Sequence, residues 1–209
     1  MTLKDYAVEK EWLLRPTPAG AQEAVDQAAA ACRLPALVRT LLAQRGVIRE
    51  EELEKFLRPK LAHLSAPEAL PNMPEAVTRL EQAIDRRERV VLYGDYDVDG
   101  VTSLAILSRV LRELGLVVRP FLPHRGDEGY GLSEDGLRRC LASERPHLLM
   151  AVDCGTSSLA EIAWLRAEGI DVIVLDHHEP ALEGLPDAIV VNPKLGNDFH
   201  YLCTAGLAF

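Results

Sequence analysis

Acidic and imidazole side chains gather at three points in the sequence, each directly after a short apolar run. Residues 90–93 lead into Asp95, Asp97 and Asp99, residues 148–152 into Asp153, and residues 172–175 into Asp176, His177 and His178. Carboxylates this close repel one another, so most would not stay ionised at neutral pH without a cation among them. Mixed carboxylate and imidazole ligands suit manganese, or magnesium where fewer nitrogens take part. Two such ions about 3.5–4 Å apart are the usual arrangement for hydrolysing phosphate esters, one activating water while both stabilise developing charge. The competing reading is that each acid caps a turn or a helix. For a lone aspartate after a strand that reading wins. Three such ends in one chain, one of them a His-His pair, favour a metal site.

The elements that must position these groups follow from the apolar spacing. From residue 88 onward the rhythm is strand, helix, strand, with strands expected at 90–93, 117–122, 148–152, 172–175 and 188–191. After the first strand a Thr102-Ser103 pair is able to cap a helix. That helix would place Leu104, Leu107, Leu111 and Leu114 on one face and stop at Gly115. Ser133 can cap a helix to about Ala142, and another runs from about Ser158 to Glu168. Regular alternation with continuous apolar strands predicts an α/β fold: a parallel five-stranded sheet with helices on both faces. Parallel strands point one way, so all three acidic ends fall on one edge of the sheet, where open α/β folds place their sites.

Residues 1–70 have a different texture. An Ala- and Leu-rich stretch over 21–46 is broken at Pro35 and closed by Gly46, and Glu50–Leu57 reads as a further short helix. These residues are expected to form a small helical N-terminal arm, with the α/β domain over 71–209. A Pro-punctuated link leads into an amphipathic helix at about 74–87, whose apolar positions include Val77, Leu80, Ala83 and Ile84.

Composition bounds the function. The 209 residues are 26% charged and 48% hydrophobic, an ordinary globular balance. No apolar run approaches the roughly 20 residues of a membrane span, so no membrane partner is expected. The N-terminus is too charged for a signal peptide, and four scattered cysteines without a C-x-x-C pair fit reduced thiols in the cytoplasm. A net charge of -9 argues against a protein that coats nucleic acid electrostatically. It does not exclude an enzyme that binds nucleic acid through metals and a local basic groove.

GDYDVDGVTS (94–103), VDCGTSS (152–158) and LDHHE (175–179) resemble, in order and spacing, the first three motifs of the DHH phosphoesterase superfamily. FLPHRGDEGYGLS (121–133), Trp12, RGV (45–47) and FLRPKL (56–61) resemble its RecJ branch, the single-strand-specific 5′→3′ DNA exonucleases. The resemblance implies two Mn2+ or Mg2+ ions held by Asp95, Asp97, Asp99, Asp153 and His177, with Asp153 bridging. It implies catalytic roles for Asp153, His177 and His178, with His178 facing the scissile phosphate and Asp176 orienting a histidine. Asp95 stands where many relatives carry a histidine. Arg125 is a candidate phosphate contact, whereas His147 and His200 read as structural, Cys154 as a small buried residue, and Thr156, Ser157 and Ser158 as helix caps.

The same resemblance implies a cytoplasmic enzyme of DNA recombination and repair acting on single-stranded DNA. Single-strand-binding protein and a helicase would be its partners by family analogy. The run CTAGLAF (203–209) resembles the start of a RecJ helix, so the chain is expected to be an N-terminal piece, weakly active or inactive alone. A DHH oligoribonuclease or cyclic-dinucleotide phosphodiesterase would share all three motifs, and a non-catalytic DHH scaffold would have lost ligands that are present here. Asp97 to Val101 also fits the D-x-D-G-[TV] loop of haloacid-dehalogenase phosphatases, which leaves Asp95 and LDHHE unexplained.

Overall fold

The computed structural model describes residues 13–30, 32–124, 131–143, 145–196 and 198–209. The chain divides into two compact units, Met1–Ser65 and Ala66–Phe209. In the first, helices α1 (Ala21–Ala28), α2 (Ala36–Gln44) and α3 (Glu50–Leu57) enclose a small core of Val25, Ala29, Leu42, Ala43 and Leu53. Pro35 occupies the position just before α2, which is where the helical pattern has to break.

The second unit runs α4 (Met73–Asp85), β1 (Arg89–Gly94), α5 (Val98–Glu113), β2 (Val117–Phe121) and α6 (Glu134–Ser143). It continues with β3 (Leu148–Val152), α7 (Leu159–Ala167), β4 (Asp171–Leu175), β5 (Ile189–Val191) and α8 (Thr204–Ala208). The five strands form one sheet in the order β2-β1-β3-β4-β5, every pair parallel. The expected five-stranded parallel sheet is therefore present. Its strands carry apolar residues at nearly every position because both faces are covered. Val90, Leu92, Leu148, Met150 and Ile173 pack with Ala83 of α4, Leu104 and Leu111 of α5, and Leu207 of α8. The alternate residues Val91, Tyr93, Leu149, Ala151 and Val174 pack with Leu137 of α6 and with Ile162 and Leu165 of α7.

Three local readings differ from the sequence expectation. The cap of α5 is Asp97, whose side chain accepts from Gly100 N at 3.0 Å; Thr102 and Ser103 lie inside the helix. Three acids in close succession conceal a cap among the candidate ligands. Leu114 ends up 54% exposed because the helix closes at Glu113 and the chain turns at Gly115, with φ +88°. Val77 of α4 is also exposed, while Arg79, at the end of its second turn, is buried. A buried guanidinium requires paired charge. Arg79 finds it in Glu88 at 2.7 Å and Asp171 at 2.9 Å, tying α4 to the starts of β1 and β4.

Register decides what the sheet presents at its carboxyl edge. Gly94 lies level with Val152, Val152 with Leu175, and Leu175 with Val191. The next residues along each strand, Asp95, Asp153, Asp176 and Asn192, therefore form one row. Their amides extend the ladder: Asp95 N donates to Val152 O, Asp153 N to Leu175 O, and Asp176 N to Val191 O. All four residues are at most 1% exposed. After β1 the chain turns one way to β2 and then returns past β1 to β3, so the β1–β3 junction is the topological switch point. That is where doubly wound sheets bind ligands.

Candidate metal centre

Asp95 is the first residue of the row. The loop after it is shaped by Gly100, where a Cβ would run into the Asp95 carbonyl, so only glycine lets α5 start this close to the strand end. The tight start leaves Asp97 exposed at the cap and Asp99 half-buried in the first turn of α5. Asp99 accepts from Thr204 N and Ala205 N, both at 2.8 Å, at the beginning of α8. Burial pulls the Asp99 carboxyl upward, but these amide bonds outweigh it and hold the group below the usual range.

Asp153 sits at the switch point with φ +63°, a left-handed conformation that aspartate tolerates better than most residues. Its Oδ1 accepts from the Thr204 hydroxyl at 2.7 Å and lies 3.5 Å from His177 Nε2. Its Oδ2 is buried with no hydrogen-bond partner among the described residues. Burial, with the charges of Asp99 and Asp97 adding to it, pushes the Asp153 carboxyl up to about 7 against the opposing pull of Thr204. A carboxylate in that position is a charge the protein hosts poorly unless a cation joins it.

Two groups of ligand atoms supply places for cations. Those of Asp95, Asp97 and Asp153 all lie within 4.8 Å of one another, and so do those of Asp153, His177 and His178. Asp153 belongs to both. Asp99 stands outside these trios, its Oδ2 3.6 Å from His177 Nε2 and its oxygens engaged with the α8 amides. The donor set of carboxylates and imidazoles fits manganese, and magnesium less closely. Asp153, common to both trios and with one oxygen unpartnered, is the residue of the set that fits a shared ligand.

The histidines are presented by the loop after β4. Asp176 accepts from His177 N at 2.8 Å, His178 N at 3.2 Å and Thr156 N at 3.0 Å, and its Oδ1 lies 2.7 Å from His178 Nδ1. Burial works against the Asp176 charge, but the bonds from Thr156 and His178 overcome it and hold the carboxyl low. An ionised carboxylate only accepts, so His178 Nδ1 carries the proton. The two imidazole rings lie 4.7 Å apart.

Arg125 lies outside the described residues. His147 is structural as expected, its Nδ1 accepting from Arg89 N at 3.1 Å. Three contributors escape the sequence reading. Thr204 holds Asp153. Thr156 is not a cap: its amide serves Asp176, and its hydroxyl accepts from Asn192. Asn192 directly follows an apolar strand, the same signal that marks the acids, and could have been found by it. Thr204 lies in CTAGLAF (203–209), a run whose own residue types do not point to an aspartate 51 residues away.

The domain that this fold and site define is recognisable. The family model "DHH family, N-terminal domain" matches residues 89–209, more than half of the chain, and the chain belongs to the DHH family. Within it the similarity runs to RecJ. The single-stranded-DNA-specific exonuclease RecJ of Bacillus subtilis (strain 168) is 36% identical over 177 residues, covering 83% of this chain and 22% of that protein. RecJ of Thermus thermophilus is 44% identical over 123 residues, covering 58% and 18%. The crystal structure of RecJ in complex with Mn2+ from Thermus thermophilus matches with a TM-score of 0.69 at 33% identity, covering 94% of this chain and 27% of that one. Its Mg2+ complex matches with a TM-score of 0.56 at 29% identity, covering 94% and 23%. The chain thus spans less than a third of the length of each of these relatives. Among the described residues no helix is long and apolar enough to cross a membrane.

Proposed function

We propose that this chain carries the metal-binding core of a two-metal phosphodiesterase that removes nucleotides from the 5′ end of single-stranded DNA. The observation that supports this most is Asp153, one buried carboxylate shared by two ligand trios, with an oxygen left unpartnered and a pKa of about 7. Asp95, Asp97, Asp99, Asp153 and His177 would hold two Mn2+ or Mg2+ ions. Bound there, the ions would supply hydroxide at neutral pH and Lewis acidity toward the phosphate. His178, its Nδ1 proton committed to Asp176, faces the scissile phosphate, and Asp176 fixes its tautomer and direction. Arg125 contacts the phosphate backbone. The substrate choice rests on the activity for which the RecJ relatives are named. With it go a cytoplasmic setting, a role in recombination and repair, and partnership with single-strand-binding protein and a helicase.

The test uses the open reading frame read to its stop codon, with an Asp153→Asn control. It is incubated with Mn2+ and single-stranded DNA blocked at either the 5′ or the 3′ end. Mononucleotide release that needs Asp153 and a free 5′ end supports the exonuclease. Cleavage of dinucleotides or cyclic dinucleotides, with DNA left intact, retains the metal centre and rejects the DNA substrate.

A further inference from the structure

The row at the carboxyl edge holds three acids and one amide. The amide belongs to Asn192, the residue after β5, and it is fully buried. Its Nδ2 donates to His178 O and to Thr156 Oγ1, both at 2.9 Å, while its Oδ1 accepts from Lys194 N at 2.9 Å. The orientation is unambiguous. Turned over, the amide would set its oxygen against the His178 carbonyl and its NH2 against the Lys194 N–H.

These bonds reach three different loops. Thr156 follows β3, His178 follows β4, and Asn192 follows β5. His178 is also held by Asp176, two residues away, which sets the ring relative to its own loop. Asp176 in turn receives Thr156 N, the amide of the residue whose hydroxyl Asn192 holds. Nearby contacts fasten the same loop: Lys194 Nζ pairs with Glu179 at 2.6 Å, and Ser157 Oγ donates to Glu179 O at 3.1 Å.

We infer that Asn192 is a positioning residue, one buried amide locking the His178 backbone to the ends of β3 and β5 so that the imidazole is held at a fixed place over the metal centre. Asn192 touches neither substrate nor ion in this arrangement; it acts through His178. An aspartate there would keep the acceptor for Lys194 and lose both donors, turning an attraction to the His178 carbonyl into a repulsion. Removing a partner behind the reacting groups typically costs about 10- to 100-fold in metal affinity or activity. Here the loss falls mainly on kcat, because Asp95, Asp97 and Asp153 share no bond with Asn192.

The inference rests on the hydrolase reading only in its kinetic arm. Its first readout is nitrogen NMR of labelled histidine in the metal-free chain. In the wild type, His178 should be a single tautomer protonated at Nδ1, with slow exchange of that proton. Asn192→Asp and Asn192→Ala should keep the tautomer that Asp176 sets but shift the His178 ring-nitrogen signals and speed exchange of the Nδ1 proton about tenfold or more, with amides away from the ends of β3, β4 and β5 intact. In the DNA assay kcat should fall about 10- to 100-fold, with KM within about threefold of wild type. An unchanged His178 signal in both folded variants overturns the inference. If neither variant folds, the wild type decides. Asn192 side-chain protons exchanging about a hundredfold slower than exposed amides support the inference, and exchange at the exposed rate overturns it. A shifted His178 signal in a chain whose full reading frame cleaves no DNA upholds Asn192 and rejects the nuclease.

Discussion

Replacing Asp153 by asparagine should make the metal-free protein more stable, and the size of the gain can be worked from its surroundings. The Asp153 carboxyl moves from its ordinary 3.8 to about 7 on folding. About three units at 1.36 kcal/mol each give ~4 kcal/mol of stability withheld from the metal-free chain once the group ionises. The folded state binds this proton more tightly than the unfolded state. The contribution of Asp153 is therefore most favourable below about pH 4 and is lost as pH rises through about 7. Asparagine carries no charge, its side-chain oxygen can accept from the Thr204 hydroxyl, and it tolerates φ +63° better than alanine does. In urea unfolding with a chelator, Asp153→Asn should exceed wild type by less than about 1 kcal/mol at pH 4 and by about 4 kcal/mol at pH 8. Acid effects of groups remote from Asp153 cancel in the difference. Manganese at about 100 times its Kd should add roughly 2.7 kcal/mol to wild type and far less to the variant. A pH-independent difference, or a variant less stable than wild type at pH 8, would refute the account of Asp153 as a charge waiting for cations.

Other perturbations probe the same framework. Thr204→Val removes the hydroxyl that serves Asp153 and should weaken Mn2+ binding about tenfold by titration calorimetry, with the amide bonds to Asp99 retained. Gly100→Ala drives a methyl group into the Asp95 carbonyl and should cost about 1–3 kcal/mol in urea unfolding, with loss of metal binding. Arg79→Ala strands the buried Glu88 and should cost about 3–5 kcal/mol, while Mn2+ affinity at the far edge of the sheet stays unchanged.

Much of the sheet was legible because each strand is apolar on both faces and each βα unit is closed by a glycine or capped by a serine or aspartate. Ser133 does cap α6, with Gly136 N at 3.2 Å from its hydroxyl. The acids after β1, β3 and β4 were legible for the same reason: polar groups interrupt apolar runs at the strand ends. Side chains whose importance is purely tertiary were not. Arg79 falls on the apolar stripe of α4 and reads there as a defect, until Glu88 and Asp171 arrive from elsewhere in the sequence. Thr204 meets Asp153 across 51 residues, a separation that no local pattern encodes. Asp97 looked only like a ligand because capping and ligation ask for the same carboxylate at the same place.

The level row of Asp95, Asp153, Asp176 and Asn192 makes the centre sensitive to length as well as to identity. A one-residue deletion inside β3 would carry Asp153 out of line with both neighbours and turn every later side chain of that strand to the opposite face. The same deletion in the connection between β4 and β5, around the exposed Leu182, removes the Ala181–Gly184 bridge but leaves the register of the five strands unchanged. Tolerance to insertions and deletions should therefore fall to nothing within these three-to-six-residue strands and in the ligand-bearing turns that follow β1, β3 and β4, and recover beyond them. A library scored for Mn2+ retention would trace the sheet together with those turns.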